Sequence, residues 1–467
     1  MNIQQLYTKC LAQGAYYIES NGEAAVIDPL RDIQEYVNLA KKNNATIKYI
    51  FETHFHADFV SGHLELHQAT GAPIIYGPLA EPDFESVLAQ DQQKFPLGEV
   101  QIKTIHTPGH TLESTCWLLE DKEGIPHSIF TGDTLFIGDV GRPDLAQKTG
   151  SITMEDLAGM LYDSLHNKII PLPDHVTVYP GHGAGSACGK NMSSETLDSL
   201  GNQKKTNYAL KASSKEQFIH EVTTGLIAPP AYFPENVALN KKGHALLEKL
   251  MERGMIWIEP AQLDAITSSN DALILDTRAP QTFKDGFIKG SINIGIKGDF
   301  APWVGTLIQN IKTPLIIVAT EGEEEEVIIR LSRVGYENIL GFVKPNLEEW
   351  SAKNIAIDTI TSISAKELET RFHQGGLEIF DVRKQGEFNS GHIPNAHFTS
   401  LQFLSEHLSA FSTQQEQYVH CQGGYRSMIA CSILKRNGID QVIDVAGGYG
   451  AILKTDIPSE VSACQNA

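Results

Sequence analysis

Residues 51–63 read FETHFHADFVSGH, a stretch with three potential metal ligands within five positions. A strand-forming run, 47–51, ends just before His54, His56 and Asp58. Alternate residues of an extended chain point to the same side, so several of these side chains can converge on one point. Imidazole and carboxylate groups are common ligands of transition metals. The stretch therefore predicts a metal site at the end of a β-strand.

Three further stretches repeat this arrangement. His110 lies in TPGHTLEST, Asp133 in FTGDTLF and His182 in YPGHGAG, each after a run of β-forming residues and with a glycine beside it. Glycine permits the tight turn that ends a strand. One histidine among the 17 of this chain is uninformative, but four clusters of one pattern predict a shared metal site.

The chain up to about residue 245 alternates short β-rich runs with polar helical stretches. This alternation indicates a layered α/β domain whose site lies at strand ends. The β-rich runs are residues 16–19, 24–27, 49–52, 100–106, 128–131 and 177–179.

These motifs resemble the metallo-β-lactamase superfamily, whose signature is T-H-x-H-x-D-H followed by a distant His, an Asp and a final His. The resemblance covers residues 1 to about 240. It implies an αββα sandwich with the metal at one edge of its two sheets. The last His of the first motif is here Phe59, which has no lone pair to offer, so a second metal ion would be held poorly.

Within the superfamily, the chain resembles the persulfide dioxygenases, a group that GDVGRPDL (138–145), YPGHGAGSACG and PPAYFPENVALN also fit. The resemblance implies one Fe(II) per chain, bound by His54, His110 and Asp133 with open positions for dioxygen and substrate. It also implies three side chains that orient ligands or substrate: His56, Asp58 and His182. The alternative for His56 is a fourth metal ligand, as in the zinc members.

Two more residues are candidates for substrate binding. Arg142 can contact an anionic group of the thiol carrier, since guanidinium pairs well with carboxylate or phosphate. A salt bridge with Asp144 is the alternative. Cys188, six residues after His182 (188 − 182), can approach the metal, and a small buried thiol is its alternative.

An internal repeat occupies the rest of the chain. LILDTRAPQTFKDGFIKGSIN begins at Leu273 and EIFDVRKQGEFNSGHIPNAHF begins at Glu378, with Asp276 and Asp381 in register 105 residues apart (381 − 276). Each copy alternates strands and helices, which suits a small parallel α/β sheet. We call them copy one and copy two. The predicted domains are residues 1–255, 256–357 and 358–467.

Copy two carries a thiol in a glycine-rich loop, YVHCQGGYRS (418–427). A β-rich run leads to Cys421, and a helical pattern follows over 428–437. Loop amides, the helix N-terminus and Arg426 would favour the nucleophilic thiolate. A buried structural cysteine is the alternative. Copy one has no cysteine, and its equivalent stretch, VATEGEEEE (318–326), would repel an anionic sulfur.

Copy two resembles the rhodanese sulfurtransferases through DVRKQGEF, GHIPNA, CQGGYRS and VIDVAGGYGA. Four residues separate Cys421 from Arg426, a loop that suits a persulfide sulfur, whereas related phosphatases use a longer one. The resemblance implies that Cys421 carries a sulfane sulfur. Copy one, which has no cysteine and has five glutamates within residues 321–326, is therefore predicted to be an inactive rhodanese-like domain.

The domain order resembles the persulfide dioxygenase–rhodanese fusions of sulfide detoxification. That resemblance implies an enzyme that oxidises a low-molecular-weight thiol persulfide with O2 to sulfite and thiol, and then forms thiosulfate through Cys421. One alternative is a glyoxalase-II-like thioester hydrolase with an appended rhodanese. The other is a non-enzymatic carrier or sensor of sulfane sulfur.

The amino-acid composition excludes some classes of binding partner. With 37 Lys+Arg against 57 Asp+Glu, the formal net charge of −20 argues against nucleic acid and anionic membranes. The apolar runs are shorter than the roughly 20 residues of a membrane span, and the N-terminus does not read as a secretory signal. Six scattered cysteines suit a reducing compartment. We expect a cytoplasmic homo-oligomer whose partners are the thiol persulfide, O2 and sulfite.

Overall fold

The computed structural model describes residues 1–146 and 151–462. The chain forms two compact units, the first built from Met1–Lys249 with the short segments Gln309–Ile311 and Leu331–Gly335, the second from the remainder. The boundaries at 255 and 357 stay predictions. Among the described residues, no helix combines the length and the apolar character that crossing a membrane requires.

Two six-stranded sheets form the centre of the first unit, and in each of them neighbouring strands are consecutive in the chain. The first sheet contains β1 (Asn2–Thr8), β2 (Gln13–Ser20), β3 (Glu23–Ile27), β4 (Thr46–Phe51), β5 (Ile74–Tyr76) and β6 (Val87–Leu88). The second contains β7 (Lys94–Leu97), β8 (Val100–His106), β9 (Thr115–Glu120), β10 (Pro126–Gly132), β11 (Thr177–Pro180) and β12 (Asp198–Ser199).

The two sheets pack face to face through large apolar side chains. Tyr16, Ile27 and Phe51 of the first sheet share one buried cluster with Trp117 and Phe130 of the second. The rings of Phe51 and Trp117 lie 4.5 Å apart. Burial of these faces removes apolar area from water and holds the sheets together.

Helices cover the outer face of each sheet. Those of the first unit are α1 (Gln34–Lys42), α2 (His63–Thr70), α3 (Met154–Ser164), α4 (Leu200–Thr206), α5 (Lys215–Thr223) and α6 (Phe233–Lys242). Leu66 of α2 packs with Ile50 of the first sheet, and Leu161 of α3 packs with Ile129 of the second. The layers therefore run helix, sheet, sheet, helix, which confirms the predicted αββα sandwich.

Each copy of the repeat in the second unit has its own parallel sheet. Copy one has strand order β15-β13-β16-β17 and copy two has β19-β23-β22-β20-β21. The strands are β13 (Leu273–Asp276), β14 (Phe287–Ile288), β15 (Ile292–Asn293), β16 (Leu315–Val318), β17 (Ile339–Val343), β18 (Ile357–Asp358), β19 (Thr361–Ser364), β20 (Glu378–Asp381), β21 (His397–Phe398), β22 (Gln417–His420) and β23 (Val442–Ala446). The prediction of two α/β domains is confirmed.

Helices lie between most of these parallel strands, as parallel pairing requires, and also precede the first strand and follow the last one. They are α7 (Leu247–Gly254), which begins in the first unit, α8 (Leu263–Asn270), α9 (Pro280–Phe283), α10 (Phe300–Leu307), α11 (Glu324–Ser332), α12 (Leu347–Ala352), α13 (Ala365–Phe372), α14 (Gln385–Ser390), α15 (Tyr425–Arg436) and α16 (Gly448–Ile452).

A buried ion pair explains the D-x-R spacing of the repeat. In copy one, Arg278 donates to Asp276 at 2.6–3.0 Å and to the Gly286 carbonyl at 3.0 Å. Arg383 makes the same contacts with Asp381 and Gly391 in copy two. Since each Arg ties a strand end to the glycine, the pair serves the fold.

We expect Asp276→Ala to lower the free energy of unfolding of the second unit by about 3–5 kcal/mol, because Arg278 would be left buried without its counter-charge. The control is Asp285→Ala, whose carboxylate is mostly exposed beside Lys284 and should change stability by no more than about 0.5 kcal/mol. Denaturant unfolding of the full chain compares the two. Equal losses would contradict the structural role of the pair.

Candidate metal centre and candidate sulfur-transfer site

Strand ends of both sheets bring the predicted metal ligands together in the first unit. His54 lies just beyond β4, His110 lies between β8 and β9, and Asp133 directly follows β10. His182 lies just beyond β11, the parallel neighbour of β10. Gly132 allows the close approach of the sheets, because a Cβ there would lie 2.5 Å from the Thr53 hydroxyl beside His54.

Three buried side chains form the group predicted to hold the metal. One donor atom each of His54, His110 and Asp133 lies within 4.8 Å of the others. Nε2 of His110 is 3.5 Å and Nε2 of His54 is 3.9 Å from the Asp133 carboxylate. Burial, followed by the charges of neighbouring histidines, holds the pKa of His54 well below its usual value, which favours the neutral ring that binds metals.

Contacts of this group leave its donor atoms free for a cation. Nδ1 of His110 lies 2.8 Å from the Arg142 carbonyl, to which a neutral ring donates, so Nε2 keeps its lone pair. Both carboxylate oxygens of Asp133 are buried and have no hydrogen-bond partner among the described residues. A buried carboxylate in this state requires a compensating charge, so the donor set fits a bound metal ion.

A second buried group adjoins the first through Asp133. It consists of His56, Asp58 and His182, again with donor atoms within 4.8 Å. Nε2 of His182 is 3.3 Å from Asp58 and 3.5 Å from the second oxygen of Asp133. Burial lowers the pKa of His182, but the two carboxylates raise it to about 10.

His56 faces two buried acids that sequence reasoning missed. Its Nε2 lies 3.2 Å from Asp28 and 3.3 Å from Glu52. Burial lowers the pKa of His56, but these carboxylates raise it to about 10. Asp28 and Glu52 directly follow β3 and β4, so the strand-end pattern that identified the histidines could have found them. His56 as a fourth ligand stays an alternative.

Phe59 lies where the signature has a histidine. Its side chain is fully buried. Its ring centroid lies 4.2 Å from that of His56, with 30° between the ring planes. The Asn240 amide donates to the carbonyls of both residues at 2.8 Å, which orients this turn. The ring therefore places carbon atoms against the His56 imidazole.

Arg142 and Cys188 lie at the edge of this centre. Arg142 pairs with Asp144 at 2.6 and 2.7 Å and donates to the Ala187 and Ile227 carbonyls, which is the salt-bridge alternative for its side chain. Its role in substrate binding stays a prediction.

Cys188 is buried. Its sulfur lies within 4.8 Å of donor atoms of Asp133 and His182. Burial raises the pKa of this thiol well above the usual value, and the charges of Asp58 and Asp133 add to the effect. The position agrees with an approach to the metal centre, and its role stays a prediction.

Cys421 lies at the start of a tight loop directly after β22. The Gly424 amide donates to its sulfur at 3.1 Å, and Gly424 has a left-handed φ of 99°. This turn leads the chain straight into α15, which begins at Tyr425. The helix prediction of 428–437 was therefore wrong at its start. Ser427 lies in the first turn of this helix, with its hydroxyl 3.6 Å from the Cys421 sulfur.

Arg426 forms a bidentate pair with Glu387 at 2.6 and 2.7 Å, a partner that sequence reasoning missed. The pair neutralises much of the positive charge that Arg426 was predicted to offer the thiolate. The loop amides therefore contribute a larger share of the stabilisation. A catalytic role for Arg426 stays a prediction.

Copy one keeps the loop shape but not the chemistry. Ala319 follows β16 where Cys421 follows β22, and Gly322 has a φ of 88° like Gly424. The Gly322 amide bonds to the Glu324 carboxylate at 2.9 Å, whereas the equivalent amide of copy two contacts the sulfur. This arrangement supports the prediction that copy one is inactive.

Family models match both parts of the chain. The metallo-beta-lactamase superfamily matches residues 9–182, and the rhodanese-like domain matches 259–353 and 364–455. A probable hydroxyacylglutathione hydrolase of Schizosaccharomyces pombe is 30% identical over 39% of this chain and 69% of its own length. The chain belongs to the metallo-β-lactamase superfamily.

Two further comparisons concern this superfamily domain. A probable polyketide biosynthesis zinc-dependent hydrolase of Bacillus velezensis, BaeB, is 30% identical over 43% of this chain and 82% of its own. A crystal structure of a metallo-beta-lactamase from Staphylococcus aureus matches with a TM-score of 0.65 and 30% identity, covering 74% of this chain and 99% of that one. In this protein the superfamily domain is followed by rhodanese-like domains.

We expect His110→Ala to lower metal affinity by more than about 100-fold, because the donor set would lose a ligand beside Asp133. The control is His106→Ala on β8, since that ring bonds to the Leu112 carbonyl and belongs to neither donor group. Equilibrium dialysis followed by elemental analysis measures bound metal. Full metal content in His110→Ala would remove this residue from the site.

Proposed function

We propose that the protein oxidises a low-molecular-weight thiol persulfide with O2 and water to sulfite and thiol at a mononuclear Fe(II) site, and forms thiosulfate by sulfur transfer through Cys421. The observation that carries the proposal is Phe59, buried against His56 where the signature has a histidine. Because its ring offers no ligand, the second donor group is incomplete. His54, His110 and Asp133 then form a triad of two imidazoles and one carboxylate, a set typical of non-haem iron.

Ferrous iron held by this triad would supply the activation of dioxygen for oxidation of the persulfide. The chain contributes the orientation of the ligands. Nδ1 of His54 lies 3.0 Å from the Thr53 hydroxyl, which donates to Asp28 at 2.8 Å. The Arg142 carbonyl orients His110 at 2.8 Å. Two rings oriented in this way lose little conformational entropy when a metal binds.

The sulfur-transfer step uses the loop of copy two. The Cys421 thiolate attacks the sulfane sulfur of a thiol persulfide, the sulfur–sulfur bond breaks, and the carrier thiol leaves. Sulfite then attacks the outer sulfur on Cys421, releases thiosulfate and restores the thiolate. The Gly424 amide, 3.1 Å from the sulfur, stabilises negative charge on it.

A thioester hydrolase of the glyoxalase II type is the second candidate. The named relatives of Schizosaccharomyces pombe and Bacillus velezensis are hydrolases. Asp58, His182 and the second oxygen of Asp133 also lie close enough together to contact a second ion. A hydrolase of this type requires two metal ions per chain, although Phe59 offers no ligand for the second ion.

Metal content and oxygen uptake distinguish the candidates. We expect close to one iron per chain and rapid oxygen uptake with a persulfide of glutathione, coenzyme A or bacillithiol. We expect Phe59→His to bind additional metal, because it restores a donor beside His56. Two zinc ions per chain, with hydrolysis of a glutathione thioester and no oxygen uptake, would establish the hydrolase instead.

We expect Cys421→Ser to keep oxygen uptake while its product shifts from thiosulfate to sulfite. Serine cannot carry a persulfide, so sulfur transfer should fall by a factor on the order of 10³ or more. Ion chromatography of the products measures the shift. Cys431→Ser, at a buried cysteine of α15, the helix that follows the Cys421 loop, is the control and should still form thiosulfate.

Thiosulfate formation by Cys421→Ser at the parent rate would remove copy two as the second catalyst. That rate is compared after subtraction of the non-enzymatic condensation of sulfite with persulfide. Transfer would then have to involve another thiol, and Cys188 beside the metal centre is the first to test.

A further inference from the structure

Asp444 on β23 is a buried acid whose contacts lead to the reactive thiol. Its two carboxylate oxygens accept hydrogen bonds from Ser427 and Ser362, both at 2.7 Å. The Ser427 hydroxyl is in turn 3.6 Å from the Cys421 sulfur. Among the described residues, no cation lies within ion-pair distance of Asp444. Two hydrogen bonds therefore connect the thiol to a carboxyl group without a counter-charge.

Copy one provides a comparison within the same chain. In copy two, Asp444 pairs in register with Val419, the penultimate residue of β22. The penultimate residue of β16, Ile317, pairs with Phe342. An apolar ring therefore occupies the place of the acid in the copy that has no thiol.

The other residues of this hydrogen-bonded group also have different counterparts in copy one. Ser362 pairs in register with Asp444, and the residue that pairs with Phe342 is Trp257. Ser427 lies six residues after Cys421, and Glu325 lies six residues after Ala319. The order cysteine, serine, aspartate, serine in copy two thus becomes alanine, glutamate, phenylalanine, tryptophan in copy one.

The residues found only in copy two and the residues shared by both copies have different roles. The Asp–Arg pair that ties each strand end to a glycine is present in both copies. The fold is therefore built without Ser427 and Asp444, since the four strands of copy one follow the order of four of the five strands of copy two, and copy one lacks both residues. The two residues accompany the thiol, which indicates a role in its chemistry.

We propose that Ser427 and Asp444 form the proton path of Cys421. The thiol proton moves to the Ser427 oxygen while the Ser427 hydroxyl proton moves to the Asp444 carboxylate. The S–H bond breaks, an O–H bond forms on Asp444, and the thiolate forms with no change in the total charge of the group. Ser427 contacts the reacting sulfur, and Asp444 is a positioning residue that acts through it. This inference rests on the proposed sulfur transfer at Cys421.

The surroundings of Asp444 favour protonation. Burial raises its pKa, which makes the carboxylate a better proton acceptor. The titratable group of α15 that faces it is Cys431, whose own pKa burial raises well above the usual value, so that it stays a thiol. From β19 only the hydroxyl of Ser362 meets it, and Lys284 acts on it through its charge alone.

The test is the pH dependence of Cys421 alkylation in the full chain. Iodoacetamide reacts with the thiolate, and mass spectrometry of the peptide that contains Cys421 gives the rate. We expect Asp444→Asn to react about tenfold more slowly than the parent at pH 6, which corresponds to a midpoint shifted upward by about one pH unit. The two rates should converge above pH 9, where hydroxide removes the proton.

Three further variants make the result specific. Ser427→Ala should show the same shift, and the double variant no further shift, because both changes interrupt one path. Ser432→Ala, at a buried serine of the same helix that donates to the Ile429 carbonyl, is the control and should keep the parent profile.

Other outcomes would overturn the proposal. An unchanged midpoint would show that Asp444 takes no proton, and a lower midpoint would show that it only repels the thiolate. Slower alkylation at every pH would indicate a distorted loop. If Asp444→Asn fails to fold, Ser427→Ala decides alone by the same criteria. The measurement uses neither persulfide nor dioxygen, so it is independent of whether Cys421→Ser loses thiosulfate formation.

Discussion

The buried carboxylate of Asp133 sets the main constraint on the first unit. One of its oxygens faces His54 and His110, the other faces His182, and neither has a hydrogen bond among the described residues. Burying a carboxylate costs free energy unless nearby positive charge compensates it. The strand ends of both sheets must therefore meet where a cation can bind, and the closely packed Gly132 permits that meeting.

The strand-end pattern predicted a layered α/β domain and the main donor groups because its signal is local, whereas the αββα arrangement came from the resemblance to the superfamily. Each predicted ligand follows a β-rich run, three of the four stretches place a glycine directly before it, and parallel neighbours such as β10 and β11 end at the same edge. Glu387 and Asp444 carry no such signal, since acidic residues are common and their partners, Arg426 and Ser427, are distant in sequence. The start of α15 was missed because a left-handed glycine shortened the loop.

The internal repeat separates residues that serve the fold from residues that serve chemistry, without any other sequence. Both copies keep the buried Asp–Arg pair and a left-handed glycine in the loop. Only copy two has a thiol, Cys421, that is connected by hydrogen bonds to the Ser427 hydroxyl and the Asp444 carboxylate. In copy one the Glu324 carboxylate bonds to the loop amide, so an acid of the chain itself occupies the donor that would meet a bound anion.

Family membership does not decide the reaction of the metal centre, because hydrolases and oxygenases can share one fold. The named relatives are hydrolases, whereas the residue that departs from the signature favours a single metal ion. The buried ring of Phe59 offers no lone pair beside His56. His56 is then committed through Nε2 to Asp28 and Glu52. Under the proposed function, an apolar side chain at one position lowers the number of metal ligands, and the number of ligands selects the chemistry that the same fold supports.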